Sequence, residues 1–427
     1  MSNKKILKFP KNFLWGASTS AYQIEGGIIN DWSEWEKSEV RSKKFPPEAD
    51  QPLAEEVRSK KKNKKLRIEN FICGQACDSY NRYEEDIELV KNLNCGAYRF
   101  GIEWARIEPE EGKFDMKEIE HYRKVLQAAK DRNLKVVLTL WHWTNPIWLS
   151  KIGGWENKKV VDYFARYTEL IVKEMGNLID YWVTLNEPMV HISNGYVRGK
   201  FPPNKKNIFG ANKVFKNLAE SHNKSYKIIH EKYPRAKVSI TALINYFEPA
   251  RKWLINEIII AKLFHYFCND RFLQRIKNNL DYIGIDYYFH DRIVWHPPFK
   301  KNLNKRITDM GWEIYPKGIY HILKYLKQFN KPIIILENGL ADRHDKYRAD
   351  FIKDHLKYVH KAISEGVDVR GYFYWSLLYN FEWAHGWAPK FGLHSVDRKT
   401  FERTARPSAA VYAEICKNNE LIINNKE

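Results

Sequence analysis

Short apolar, β-branched runs recur along the chain, each closed by a polar turn and followed by a longer segment whose apolar residues repeat at helical spacing. The strand-like runs are Phe13–Ser18, Ala97–Trp104, Leu134–Trp143, Tyr181–Glu187, Lys237–Ile244, Tyr282–Phe289, Pro332–Glu337 and Val369–Leu377. Helical periodicity predicts helices over Tyr80–Leu93, Met116–Asn133, Val160–Met175, Phe215–Lys232, Gly318–Phe329 and Asp350–Glu365. Strands alternating with helices indicate a parallel sheet with helices packed against it. Eight strands are the number that closes a (β/α)8 TIM barrel, although an open, doubly wound sheet would give the same alternation.

The polar residues favour closure. In a barrel of this kind the chemistry gathers at the C-terminal ends of the strands. Here His142 and Trp143 end the third run, Asn186 and Glu187 the fourth, Tyr288 the sixth and Glu337 the seventh, with Trp375 near the end of the eighth. A carboxylate directly after Leu336, in Pro-Ile-Ile-Ile-Leu-Glu, is costly to bury unless it is paired, hydrogen-bonded or neutral. Several such groups at equivalent depths imply one shared polar site and a single α/β barrel domain spanning residues 1–427. Residues 37–72, rich in Lys, Glu and Pro, form an expected inserted loop, and the polar tail 418–427 is expected to fray.

Composition narrows the function classes. The chain has 427 residues, 44% of them hydrophobic, enough for a large core. Aromatic residues make up 15%, and their flat apolar faces suit both packing and stacking on sugar rings. The formal net charge of +19 raises nucleic acid or an anionic surface as a partner. The densest basic run, Lys60 to Lys65, does not account for it. From Lys37 to Asn70 there are eleven Lys or Arg against six Asp or Glu, so removing that segment leaves 19 − 5 = +14. No recognition-helix, zinc-finger or RNA-binding signature accompanies the charge, so no nucleic-acid partner is expected.

The five cysteines, 73, 77, 95, 268 and 416, are odd in number and scattered, which points to a reducing compartment rather than a disulfide framework. Cys73 and Cys77 lack a second pair or a nearby His to complete a zinc set, so neither metal nor cofactor is expected. Met1 to Phe9 carries no secretion-signal apolar stretch and no run approaches transmembrane length. The expected location is cytoplasmic, with no membrane partner.

Two segments carry the chemistry: Thr184-Leu-Asn-Glu-Pro188 and Ile335-Leu-Glu-Asn-Gly339. In each, a Glu closes a strand and a chain breaker or turn former follows, fixing the carboxylate on a rigid element. A lone Glu there could merely accept hydrogen bonds. Two suit glycoside cleavage, which needs one carboxyl to protonate the leaving oxygen and one to attack the anomeric carbon or activate water.

With Phe13-Leu-Trp-Gly-Ala-Ser-Thr-Ser-Ala-Tyr-Gln-Ile-Glu-Gly-Gly27 and Trp375-Ser-Leu-Leu-Tyr-Asn-Phe-Glu-Trp383, these motifs stand in an order that resembles the family 1 glycoside hydrolases, the β-glucosidases and β-galactosidases. The resemblance runs from about Phe9 to Cys416. It implies that Glu187 is the acid/base and Glu337 the nucleophile of a retaining, exo-acting enzyme, with carboxyl groups about 5–5.5 Å apart. It further implies sugar contacts from Gln23, His142, Asn186, Trp375, Glu382 and Trp383, with Trp143 supporting the site. Read singly, Gln23 and His142 would pass as satisfied buried polar groups and Trp375 as core. Arg99 and Tyr288 match groups that contact the nucleophile, where a cation and a phenol would favour its ionised form. The implied substrate is a small-molecule or oligosaccharide β-glycoside with a terminal glucosyl or galactosyl residue.

Two departures from the family pattern stand out, and one retained residue bears on the substrate. The strand-six motif, usually Asn-Tyr-Tyr, reads Asp286-Tyr287-Tyr288, so a third carboxylate is expected to face the site on the same side as Tyr288 and alter the pH optimum. The connection 245–280 is short and lacks the family's Asp-Pro and Gly-Tyr-Pro landmarks, which predicts a more open or differently walled cleft. Glu382 is retained, whereas relatives acting on 6-phosphorylated sugars lack it; its charge would repel phosphate, and Lys390 lacks the expected companions. The alternatives are a catalytically weakened sugar-binding relative, a 6-phospho-β-glycosidase and, on charge alone, an anion-binding protein.

Overall fold

The computed structural model describes residues 4–41, 69–301 and 303–424. Eight parallel strands close into a barrel: β1 (Leu14–Ser18), β2 (Ala97–Gly101), β3 (Lys135–Thr139), β4 (Tyr181–Asn186), β5 (Lys237–Leu243), β6 (Ile283–Asp286), β7 (Ile333–Asn338) and β8 (Val369–Trp375). Each strand pairs with its successor, and β8 pairs back onto β1, with Tyr372 opposite Trp15 and Trp375 opposite Ser18. That last pairing excludes the open sheet.

All eight runs contain a barrel strand, but several overshoot it. Leu134–Trp143 contains only Lys135–Thr139 as strand, and Tyr282–Phe289 only Ile283–Asp286. His142, Trp143 and Tyr288 therefore sit on segments that follow the strands rather than in them. Those segments are buried at the barrel mouth, so apolar character continues after the regular strands end.

Inside the barrel, Ala97, Val137, Val183, Tyr282, Ile334, Leu336 and Phe373 form a cluster separate from the larger core between strands and helices. Phe373 fits because residue 16 is glycine: a Cβ there would lie 2.3 Å from the Phe373 ring. The helices pack by their apolar stripes, as Val160–Met175 does through Val160, Phe164, Tyr167, Ile171 and Met175. The helix expected from Phe215 starts earlier and spans Ile208–Lys232, with Asn207 accepting a hydrogen bond from the Gly210 N–H. Its first turn turns Ile208 and Phe209 to solvent, which hid it from an apolar-periodicity reading.

Of the tail expected to fray, residues 418–424 are ordered into the end of a helix and a strand, and residues 425–427 lie outside the described residues. Glu420–Asn424 forms a strand antiparallel to Lys4–Lys8, with Leu421 and Leu7 buried. A strand whose partner lies at the other end of the chain leaves little local signal. Of the expected Lys-rich loop, residues 42–68 lie outside the described residues. Residues 37–41 continue the helix Asp31–Arg41, and Asn70 and Ile72 accept hydrogen bonds from the Trp387 backbone and indole N–H groups.

The connection 245–280 is folded. It holds a strand, Tyr246–Pro249, that joins His290–Ile293 and Lys300–Lys301 in a small sheet, followed by helices Ile255–His265 and Arg271–Ile276. All five cysteines are free thiols, and among the described residues no helix is long and apolar enough to cross a membrane.

Candidate active site

Seven of the eight strands, all but β5, or the segments after them bring the expected residues to one end of the barrel. Arg99 comes from β2, in register with Val137, and is fully buried. Its guanidinium donates through Nη1 to Glu337 Oε1, through Nη2 to Asn186 Oδ1, and through Nε to Thr139 Oγ1 at 3.2 Å. One cation thus ties together β2, β3, β4 and β7. Removing one partner of such a buried pair leaves the other charge uncompensated, at a cost of about 3–5 kcal/mol.

Glu337 needs a local irregularity to reach Arg99. Ile334 and Leu336 point into the barrel, so strict alternation would send residue 337 toward the helices. The pairing of β7 with β6 shifts register between Ile335 and Glu337, and such shifts re-aim side chains beside active sites. The second Glu337 oxygen accepts a hydrogen bond from Tyr288 Oη at 2.6 Å. Gly339 lets the chain pass β8 closely, since a Cβ there would lie 1.6 Å from the Trp375 carbonyl oxygen.

Glu187 sits directly after β4 with φ at 41°, in the left-handed region, ahead of the helix Pro188–Ile192. Its N–H donates to the Thr241 carbonyl at 3.0 Å, which fixes that turn. Burial comes first in raising the Glu187 pKa well above the usual carboxyl range, followed by the nearby charges of Asp286 and Glu337. One carboxylate oxygen from each of Glu187, Asp286 and Glu337 lies within 4.8 Å of the other two, and all three residues are buried. Three oxygens so close could also hold a cation, but Arg99 already supplies a positive partner there.

The remaining expected residues surround this trio. Asn186 Oδ1 also accepts from Thr241 Oγ1 at 2.7 Å, and its Nδ2 donates to His142 Nε2 at 3.0 Å. Burial, then the Arg99 charge, lowers the His142 pKa well below the usual imidazole value, so the ring is neutral and can accept that hydrogen bond. The rings of His142 and Trp383 stack at 5.7 Å, and Trp375 lies 6.1 Å from His142. Trp143 Nε1 donates to the Asn186 carbonyl at 3.0 Å, a supporting position. Gln23 Nε2 donates to the Phe381 carbonyl at 2.7 Å and to Glu382 Oε2 at 3.4 Å. Burial, then the Glu337 charge, raises the Glu382 pKa to about 8.

Two groups in this network were not anticipated from sequence, Thr139 and Thr241. Both are hydroxyl residues near the C-terminal ends of barrel strands, and the strand period was the one signal that could have found them. Lys390 is spent inside the protein: its ammonium donates to Tyr379 Oη and to the Trp387 carbonyl at 3.0 Å.

Known proteins carry the same arrangement of chain. The family profile described as glycosyl hydrolase family 1 matches residues 5–283 and 267–421. A 1,4-beta-D-glucan glucohydrolase of Thermotoga neapolitana is 33% identical, over 97% of this chain and 99% of its own. A beta-glycosidase from Pyrococcus horikoshii superposes with a TM-score of 0.86 at 35% identity, covering 98% of this chain and 96% of its own. A beta-glucosidase from Thermotoga maritima, solved in complex with glucoimidazole, gives a TM-score of 0.86 at 31% identity, covering 97% and 99%.

Proposed function

The chain belongs to glycosyl hydrolase family 1, and from that premise we propose a retaining, exo-acting β-glycosidase that releases terminal β-D-glucosyl, or β-D-galactosyl, residues through a covalent glycosyl-enzyme. Hydrolysis of β-glycosidic bonds comes with the family; the stereochemical course, the exo action and the residue roles are the proposal. The observation that carries it is the pair of buried carboxyl groups within 4.8 Å, one held by Arg99 and Tyr288 and the other pushed toward its neutral form. Nearest oxygens that close fit the roughly 5–5.5 Å carboxyl separation of a retaining pair better than the about 6.5–9.5 Å that leaves an inverting enzyme room for water.

In the first step a Glu337 carboxylate oxygen attacks the anomeric carbon while the glycosidic bond breaks and the Glu187 proton passes to the leaving oxygen. In the second, Glu187, now ionised, takes a proton from water as the water oxygen attacks that carbon and Glu337 departs as a carboxylate. Two inversions give net retention. Arg99 and Tyr288 hold the nucleophile, and Asn186 is fixed between Arg99 and His142. Gln23, His142, Asn186 and Glu382 offer paired hydrogen bonds to vicinal hydroxyls, Trp375 and Trp383 offer apolar faces to the ring, and Trp143 braces Asn186. The 6-phospho reading is disfavoured by the internal commitments of Lys390, which leave that cation turned away from a phosphate.

A panel of nitrophenyl β-glycosides read by proton NMR tests this reading. The β-anomer of the free sugar is expected to appear before mutarotation; the α-anomer appearing first would overturn retention. Turnover is expected on glucoside or galactoside and to be absent on 6-phosphoglucoside. Glu382→Ala is expected to lower kcat/KM on the preferred substrate by about tenfold, the worth of a buried group whose hydrogen-bond partners are left unsatisfied. Equal kcat/KM in variant and wild type would remove Glu382 from the binding set.

A further inference from the structure

We propose that Asp286 is a positioning residue that works as a neutral, proton-bearing carboxyl paired with Glu187, and that this pair prolongs the life of the general acid at high pH. The proposal rests on the roles given to Glu187 and Glu337 above, and concerns how that site responds to pH.

Asp286 ends β6, fully buried, with its backbone opposite Glu337 on one side and Leu243 on the other. Neither of its carboxyl oxygens makes a well-formed hydrogen bond among the described residues, and the side chains close enough to bond it are the Thr241 hydroxyl and the Glu187 carboxyl. The groups facing it come from every neighbouring element: Glu337 from β7, Glu187 after β4, Arg99 from β2, Thr241 from β5 and Tyr288 from the segment after β6. The donors among them are aimed elsewhere. Arg99 donates to Glu337, Asn186 and Thr139, Tyr288 to Glu337, and the Thr241 hydroxyl to Asn186.

What remains within reach of Asp286 is carboxyl oxygen, and two such oxygens attract only when one bears a proton. An ionised Asp286 would be a buried charge with no donor, within 4.8 Å of both Glu187 and Glu337. The charge count agrees. One guanidinium faces three carboxyls, and the site is neutral when Glu337 is ionised and both Glu187 and Asp286 are protonated. Burial, then the Glu337 charge, pushes the Asp286 pKa well above its usual value.

Coupling follows from proximity. Once either member of the pair loses its proton, the new charge opposes loss of the second. Molecules in which Asp286 ionises first keep the Glu187 proton to higher pH and stay competent as acids. An amide at 286 would be neutral like the protonated carboxyl but would supply no such protection.

The test is the pH dependence of kcat/KM for wild type and Asp286→Asn on the same aryl β-glycoside. The variant is expected to leave the acid limb in place and to drop its alkaline limb by about one pH unit or more, the scale on which coupled sites separate, whatever the height of its plateau. An unmoved alkaline limb would overturn the proposal. So would a displaced acid limb, because an Asp286 ionised across the working range is a second charge beside Glu337, and its removal would be felt there. Infrared difference spectra at plateau pH give a second measurement that does not depend on turnover. Subtracting Glu187→Gln/Asp286→Asn from Glu187→Gln cancels the other buried carboxyls, such as Glu382, and is expected to leave one protonated-carboxyl stretch that disappears on raising the pH; lack of that difference band sinks the idea. Failure of the parent reading looks different: wild type itself would not cleave the glycosides.

Discussion

Glu337→Ala is expected to lower kcat on a nitrophenyl β-glycoside by about 10⁴-fold or more, the scale seen when a nucleophile is deleted from a preorganised site. The loss is large because no other group can take the covalent role. Asp286 lies close, but it has no donor to hold it ionised, whereas Glu337 has Arg99 and Tyr288. The alanine variant leaves the Arg99 guanidinium without its carboxylate, so a fall in melting temperature is expected as well. Glu337→Gln separates the two effects, since an amide oxygen can still accept from Arg99 but cannot attack. Both variants are expected to be inactive, and the Gln variant the more stable. Added azide can enter the space left by Glu337→Ala and attack the anomeric carbon from the same face, giving an α-glycosyl azide. Activity within tenfold of wild type in both variants would remove Glu337 from the nucleophile's role.

How much of this was written in the sequence depends on the kind of interaction. The eight strands were legible because each is a short apolar run, and the barrel's parallel pairing demands buried strands on both faces. Their ends were not. Leu140 and Trp141 continue the apolar run of β3 beyond the end of the strand, and Tyr287 and Tyr288 do the same after β6. The pairing of Lys4–Lys8 with Glu420–Asn424 left no local trace, because neither five-residue strand has a turn or helix to announce its partner.

The site divides in the same way. Glu187 and Glu337 stood out as carboxylates closing apolar runs, and the surrounding motifs supplied Gln23, His142, Asn186, Trp375, Glu382 and Trp383. The register shift that turns Glu337 onto Arg99 was invisible, since it is a property of how β7 meets β6 rather than of either sequence alone. Thr139 and Thr241 were overlooked for a related reason: a threonine in a strand is ordinary until the structure puts an arginine or an amide against its hydroxyl. Asp286 was visible as a departure in Asp-Tyr-Tyr, but that it is left without a donor emerges only when the commitments of Arg99, Tyr288 and Thr241 are known.

Glu187→Gln is expected to slow hydrolysis by about 10²–10⁴-fold, the contribution of a positioned acid and base, and the size should depend on the leaving group. With a dinitrophenyl glycoside, bond breaking needs little help from an acid, so the glycosyl-enzyme forms quickly and the missing base makes its hydrolysis limiting. Both kcat and KM should then fall together. With an alkyl or sugar leaving group the first step loses its proton donor, and kcat/KM should fall by the larger factor. The alkaline limb of the pH profile should vanish, because it reports ionisation of a carboxyl whose pKa burial and the charges of Asp286 and Glu337 raise. The same shift fixes a stability trend. A carboxyl whose folded-state pKa lies above its unfolded value favours the fold most at low pH, and that contribution is lost as pH rises through the folded value. The amide cannot ionise, so Glu187→Gln should melt higher than wild type at alkaline pH and converge with it in acid. A leaving-group dependence no different from wild type would assign the proton transfer to another residue, and a melting difference that grows toward acid would reverse the sign argued for Glu187.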